Sequence, residues 1–178
     1  MSNFPLFTLE PDPLVRKRCF DPVVDDQTRI LVLGSLPGDR SLARQEYYGN
    51  RQNRFWMLMA EVIGLDLLPL DYMSRLQALL ANGIGLWDVV AEADREGSLD
   101  HRIRDHVGND LVGLIASLPK LATIAFNGGT AARLGMKVLG QHAQRYRIVQ
   151  LPSSSPAHTL AYAEKLTVWR TLRDYLPR

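Results

Sequence analysis

The chain has 178 residues, enough for one folded unit with a full core and too few to argue for two. It is 46% hydrophobic and 22% charged, as soluble globular proteins are, and its formal net charge of +2 is far from the basic excess that marks a nucleic-acid binder by composition. The single cysteine, Cys19, excludes an internal disulfide and any cysteine-rich zinc or iron–sulfur site.

No apolar run approaches ~18–20 residues, and the N-terminus lacks the basic-then-apolar profile of a secretion signal. A cytoplasmic protein without membrane contact is expected. The histidines are His101, His106, His142 and His158, and no His-x-x-x-His or His-Glu-x-x-His pair occurs among them. Neither a metal nor another cofactor is expected.

In chain order, residues 1–29 carry Pro5, Pro11, Pro13 and Pro22 among scattered apolar residues and read as an extended arm on a single domain spanning 1–178. Leu14-Val15-Arg16-Lys17-Arg18 is a short basic segment, either a solvated patch or a DNA contact. Ile30-Leu31-Val32-Leu33 then reads as a buried parallel strand, ending in the loop Gly34-Ser35-Leu36-Pro37-Gly38. Arg44 to Gln52 reads as irregular chain holding Tyr47 and Tyr48. Helical periodicity starts at Asn53, with Phe55, Trp56, Met59, Val62 and Ile63 on one face and Gly64 as the stop.

Asp71 is the expected N-cap of a second helix bearing Tyr72, Leu76, Leu79 and Leu80. Ile84 to Val90 reads as one buried strand running into a turn, Arg95 to Asp100, with a cap at Ser98. Asn109 or Asp110 caps a helix carrying Leu111, Leu114, Ile115 and Leu118. A third strand covers Leu121 to Phe126, followed by a short helix ending at Gly135, and Tyr146 to Leu151 makes the fourth. Ser155-Pro156 reads as an N-cap and first turn of a long final helix striped by Leu160, Ala161, Leu166, Trp169, Leu172 and Leu176. Strands alternating with helices imply a mostly parallel sheet covered on both faces.

Four polar or glycine-rich stretches follow these strands: Gly34 to Ser41, Asp88 to Asp100, Asn127 to Thr130 and Ser153 to His158. In a parallel sheet all four lie along one edge and can converge on one ligand. The first and last are expected to grip one phosphate backbone between them. No Gly-x-Ser-x-Gly elbow, P-loop or dinucleotide fingerprint is present, and neither Ser35 nor Ser41 has an assignable histidine base.

Four segments, taken together, carry a specific resemblance. They are Gly34-Ser35-Leu36-Pro37-Gly38-Asp39-Arg40-Ser41, then Tyr47-Tyr48-Gly49-Asn50-Arg51-Gln52-Asn53-Arg54-Phe55-Trp56, then Phe126-Asn127-Gly128, and Leu151-Pro152-Ser153-Ser154-Ser155-Pro156. They resemble the ordered motifs of the uracil-DNA glycosylase superfamily, nearest the hypoxanthine-DNA glycosylase branch. Leu86-Trp87-Asp88-Val89 and Arg95 to Asp100 resemble that branch as well. The resemblance runs from about Ile30 to Trp169. It implies a three-layer α/β/α sandwich with a short, mostly parallel four-stranded sheet, and hydrolysis, without a metal, of the N-glycosidic bond of a flipped deaminated base, hypoxanthine or uracil. The absence of an obvious catalytic lysine argues for a monofunctional enzyme that leaves an abasic site.

Roles follow residue by residue from that resemblance. Mismatch-specific relatives place a water-activating asparagine in the middle of the first loop, where this chain has Leu36; in the hypoxanthine branch the role goes to the position of Asn53. Asn53 is therefore the expected catalytic residue, and a helix cap is its plain structural alternative. Tyr48 matches the aromatic on which the base stacks, the alternative being a core tyrosine with Tyr47 exposed; Asn127 matches the amide that reads the base edge, or is a turn asparagine before Gly128-Gly129; Gly34 and Ser35 line the same pocket. Ser41, Ser153, Ser154, Ser155 and His158 are the expected phosphate contacts, His158 standing where the branch commonly has asparagine. Asp39 and Asp88 are candidates for a supporting carboxylate. The implied partner is double-stranded or single-stranded DNA bearing a damaged base, met by a monomer. A non-cleaving binder of damaged DNA and a nucleotide-processing α/β hydrolase are the alternatives.

Overall fold

The computed structural model describes residues 16–178, so the first three prolines and the first two residues of the basic segment lie outside the described residues. The strands are β1 (Arg16–Arg18), β2 (Ile30–Gly34), β3 (Ile84–Asp88), β4 (Val90–Asp94), β5 (Arg104–Gly108), β6 (Thr123–Asn127) and β7 (Arg147–Leu151). The helices are α1 (Asp39–Arg44), α2 (Phe55–Ile63), α3 (Tyr72–Ala81), α4 (Leu111–Ala116), α5 (Gly129–Leu139) and α6 (Tyr162–Trp169). Short 3-10 turns follow at Asp100–Arg102, Gly140–Arg145 and Arg170–Tyr175.

The centre is a four-stranded sheet in the order β3-β2-β6-β7, every pair parallel. In β2 successive side chains point to opposite faces, and both faces are covered. Ile30 and Val32 pack with Phe55, Leu58, Met59, Leu79 and Trp169 under α2, α3 and α6. Leu31 and Leu33 pack with Leu111, Ile115, Ala131 and Leu134 under α4 and α5. A run of four apolar residues is thus divided two and two between separate cores, which is the three-layer α/β/α sandwich. Among the described residues no helix is long and apolar enough to cross a membrane.

Several expected boundaries shift for physical reasons. The apolar run after Asn82-Gly83 is not one strand. It breaks after Asp88, and β4 leaves for a second, antiparallel sheet ordered β1-β4-β5. Arg16 and Arg18 of the basic segment pair there with Glu92, and Arg16 also reaches Asp94 at 3.3 Å. Val23 exchanges backbone bonds with Leu86, covering the outer edge of β3.

α5 runs through Gly135 to Leu139 because that glycine is a packing position rather than a stop: a Cβ there would lie 2.2 Å from Phe126. The stretch Arg44 to Gln52 is preceded by a short helix, α1, that the sequence did not signal. Its N-cap, Gly38, has no side chain, and Ser98 supplies the missing acceptor from across the molecule, taking the Asp39 N–H at 2.9 Å. Asp110, not Asn109, caps α4. The largest correction concerns the last helix, which begins at Tyr162 behind Ala161. Ser155 is no N-cap; its Oγ accepts from Ala157 N–H in a local turn at 3.2 Å.

Candidate functional site

Parallel pairing sets the ends of the central strands level: Gly34 lies opposite Asp88, and Asn127 opposite Leu151. The loops that follow therefore emerge at one edge. Gly34 is where they come closest. A Cβ on it would stand 2.6 Å from Asp88 Oδ1 and 3.2 Å from the Tyr48 hydroxyl, so no side chain fits between that carboxyl and that phenol.

The first loop is held from behind. Ser35, 9% exposed, donates its hydroxyl to Asp100 Oδ1 at 2.6 Å. The buried Arg95 donates to the carbonyls of Leu36 at 3.2 Å, Gly97 at 3.1 Å and Pro37, with Asp100 3.9 Å away. Leu36 itself is in the core under α4 and α5. Asp39 is exposed and engaged by Lys17. Asp88 is buried, and burial, reinforced by the negative charge of Asp100 and opposed by Arg95, pushes its carboxyl up to about 7. Its Oδ2 is the only buried side-chain polar atom without a partner among the described residues.

The two tyrosines divide cleanly. Tyr47 is core: 3% exposed, edge-on to Phe20 and donating to the Asp21 carbonyl at 2.9 Å. Tyr48 is half-buried and stacks on Phe55 with centroids 3.7 Å apart and planes 13° apart. It holds φ 55°, a left-handed backbone that costs a non-glycine residue on the order of 1 kcal/mol. Burial and the neighbouring Asp88 raise its phenol, so it stays protonated, and its oxygen accepts from the Asn127 amide. Ser41 is turned inward, its Oγ taking the Gly49 N–H at 3.0 Å, a bond that shapes the tyrosine loop. Asn53 Oδ1 accepts from Phe55 N–H at 2.9 Å, which ties the start of α2, while its amide nitrogen is uncommitted among the described residues.

Asn127 joins the two halves of the site. Its Oδ1 accepts from Ser154 N–H at 2.9 Å, and its Nδ2 donates to Ser154 Oγ at 2.9 Å and to the Tyr48 hydroxyl at 3.2 Å. Ser154 is fully buried, and its carbonyl accepts from Arg54 N–H at 3.0 Å. Of the remaining loop residues, Ser153 Oγ receives Ser155 N–H at 3.2 Å, both serines are half-buried, and His158 is exposed.

The sequence did not single out the group that holds this second loop. Lys165, 3% exposed, donates to the carbonyls of Ser155 at 3.1 Å and His158 at 2.8 Å. Burial, with Arg54 nearby, lowers its ammonium from the usual lysine value. Its place amid an apolar helical stripe gave no cue. Arg95 and Asp100 were visible only as part of a turn that resembled the family, without roles.

An aromatic, a buried amide, a serine loop and a buried carboxyl thus gather at the strand ends of a three-layer protein of the α/β class. The uracil DNA glycosylase superfamily model matches residues 22–174, and the chain belongs to that superfamily, whose enzyme class is DNA glycosylase. It is 42% identical over 156 residues to a protein of Methanosarcina acetivorans named hypoxanthine DNA glycosylase, covering 88% of this chain and 97% of that one. A protein of the same name from Methanosarcina barkeri is 39% identical over 155 residues, with 87% and 96% covered. A solution NMR structure of a Methanosarcina acetivorans protein assigned to the uracil DNA glycosylases superposes with a TM-score of 0.79 at 41% identity, over 89% of this chain and 96% of that one.

Proposed function

We propose that this protein hydrolyses the N-glycosidic bond of a deaminated base in DNA, with hypoxanthine as its first substrate and uracil as a second. It acts as a monofunctional, monomeric, cytoplasmic enzyme on duplex DNA, with single strands as an alternative form. The supporting observation is the junction of Asn127 with both Tyr48 and Ser154, in a chain whose relatives carry the name hypoxanthine DNA glycosylase.

The target base leaves the stack and lies against the face of Tyr48 opposite Phe55. Stacking is worth ~1–3 kcal/mol per base and tolerates any planar ring. Gly34 keeps the approach open, and Ser35, bonded to Asp100, shapes its wall. Both ends of the Asn127 amide are engaged, so it orients the tyrosine and the serine loop first, and contact with the base edge exchanges one of those bonds.

As the bond to the sugar breaks, positive charge develops on the sugar carbon and the electron pair leaves with the base. Such an electrophile needs a placed water more than a deprotonated one. Asn53 places it: one lone pair of Oδ1 holds α2, and the second, with the uncommitted amide N–H groups, is left for water. Arg54 is the N-cap of α2, so Asn53 is its tie from the preceding turn and the catalyst in one side chain. Ser153, Ser155 and His158, at the outer part of the second loop, meet the phosphates with their side chains, the Ser155 and His158 N–H groups being bonded within the loop. Ser41 and Ser154 act from inside, shaping the loops that make those contacts.

Duplexes with one deoxyinosine or one deoxyuridine, treated with the protein and then with alkali, are expected to break at the abasic site. Intact strands from both would overturn the reading. Asn53→Ala is expected to slow single-turnover excision about 100-fold or more while leaving duplex affinity near wild type. Equal losses in both would leave Asn53 only its structural tie to Phe55 N–H.

A further inference from the structure

Among the described residues, the carboxyl beside Gly34 holds the one buried side-chain polar atom without a hydrogen-bond partner, and the proposed chemistry does not use it. Asp88 stands at the end of β3, where Asn109 Nδ2 donates to its backbone carbonyl at 2.7 Å and fixes the chain. Its Oδ1 lies across Gly34 from the Tyr48 hydroxyl, the phenol on which the base is to stack. Oδ2 meets no donor, although the buried polar side chains around it are satisfied. A buried group without a partner costs about 1–3 kcal/mol, and such groups persist where a ligand or a reaction uses them.

From this geometry we infer that Asp88 is the proton donor to the departing base. The inference rests on the glycosylase reading above. As the bond between the sugar carbon and the base nitrogen breaks, its electron pair passes to the base. The Asp88 carboxyl gives its proton to a ring nitrogen of that base, leaving neutral base and a carboxylate. Water held by Asn53 adds its oxygen to the sugar carbon and releases one proton, and a proton from solvent restores the carboxyl. The balance is one water consumed, one sugar hydroxyl and one neutral base formed.

A carboxylic acid can do this near neutrality only if it keeps its proton, and the surroundings of Asp88 provide for that. The groups facing it are Asp100 from the 3-10 turn, Arg95 from the end of β4, Tyr47 and Tyr48 from the loop before α2, and Cys19 from the chain along β4. Burial and Asp100 favour the neutral acid, Arg95 opposes them, and the balance lies at about 7. Tyr47, Tyr48 and Cys19 are themselves raised and stay neutral, adding no charge.

The test is single-turnover excision of hypoxanthine from duplex DNA between pH 5 and pH 9, with the protein in excess. The wild type is expected to hold its rate below about pH 7 and to lose about tenfold per unit above it. Asp88→Asn, of the same size and shape, is expected to be about 100-fold slower at pH 6 and flat with pH, so the two curves converge in alkali. Asp100→Asn keeps an acceptor for Ser35 while removing the like charge, and is expected to move the fall to lower pH. Duplex affinity, measured with a non-hydrolysable 2′-fluoro deoxyinosine, serves as the check that each variant is folded. A flat wild-type profile, or an Asp88→Asn profile that keeps the wild-type slope, overturns the inference while excision itself stands. No excision at any pH overturns the glycosylase reading instead.

Discussion

The two loops at the strand ends are built in opposite ways. The first, from Gly34 to Ser41, spends its polar groups inward: Ser35 on Asp100, the Leu36 and Pro37 carbonyls on Arg95, Ser41 on Gly49. The second is anchored at its root, by Asn127 on Ser154 and Lys165 on Ser155 and His158, while Pro156 to Leu160 stay exposed. In the proposed reading the first loop is a wall around the base and is tied on the inside. The second is a clamp on the phosphate backbone, and it keeps its outer surface for solvent and ligand.

Arg95→Met is the strongest way to break the first loop. It strands three carbonyls and leaves Asp100 facing Asp88 without compensation, an expected loss of about 3–5 kcal/mol that calorimetry would record as a fall of about 10 °C in Tm. A loss within 1 °C would mean that the loop holds itself.

The same wall carries a pH signature. Asp88 titrates at about 7 in the folded chain and near the ordinary carboxylate value when unfolded, so between those values the folded state binds more protons. Stability therefore falls as pH rises, by about 2–3 kcal/mol between pH 5 and pH 8, and Asp88→Asn removes that part of the slope. Tm curves of the two proteins that stay parallel across this range would contradict it.

Asn127→Ala sharpens the comparison because it strips both sides at once. It leaves Ser154 N–H buried without an acceptor, at a cost of about 1–3 kcal/mol, and frees Tyr48 to turn. Excision and Tm should fall together. Asn53→Ala, by contrast, should move excision far more than Tm.

The mildest effect is expected at the clamp. Lys165→Met removes the two bonds that shape residues 155–158 but touches no wall residue, so duplex binding should weaken about 3–10-fold with the rate of bound substrate nearly unchanged. A fall confined to the chemical step would place Lys165 on the wall side instead.

Local pattern in the chain was enough for the central strands, α2, α3 and the order of the site segments. Those signals are short-range: Ile30 to Leu33 followed by Gly34 reads as a buried strand and turn, and Asp71 caps its own helix at Ser74 N–H. The last helix shows the limit. Ser155-Pro156 has the composition of a cap, yet Lys165 takes the Ser155 and His158 carbonyls and the helix waits until Tyr162. Likewise β4 leaves the apolar run to pair with Arg16–Arg18, some 75 residues away, which no local window contains.

By itself the sequence determined the layered class, the family likeness and the residue types at the site, because periodicity and motif order survive in one dimension. Tertiary structure alone decided which of those residues turn into the core and which stay at the strand ends. Ser41 and Ser154 turned inward because each hydroxyl was met by an N–H group, from Gly49 and from the Asn127 amide, and Tyr47 rather than Tyr48 went into the core because it found the Asp21 carbonyl. Asp88 was left without a partner because parallel register set it against a glycine. Hydrogen-bond satisfaction is a property of the packed neighbourhood, and that neighbourhood is assembled from strands and loops far apart along the chain.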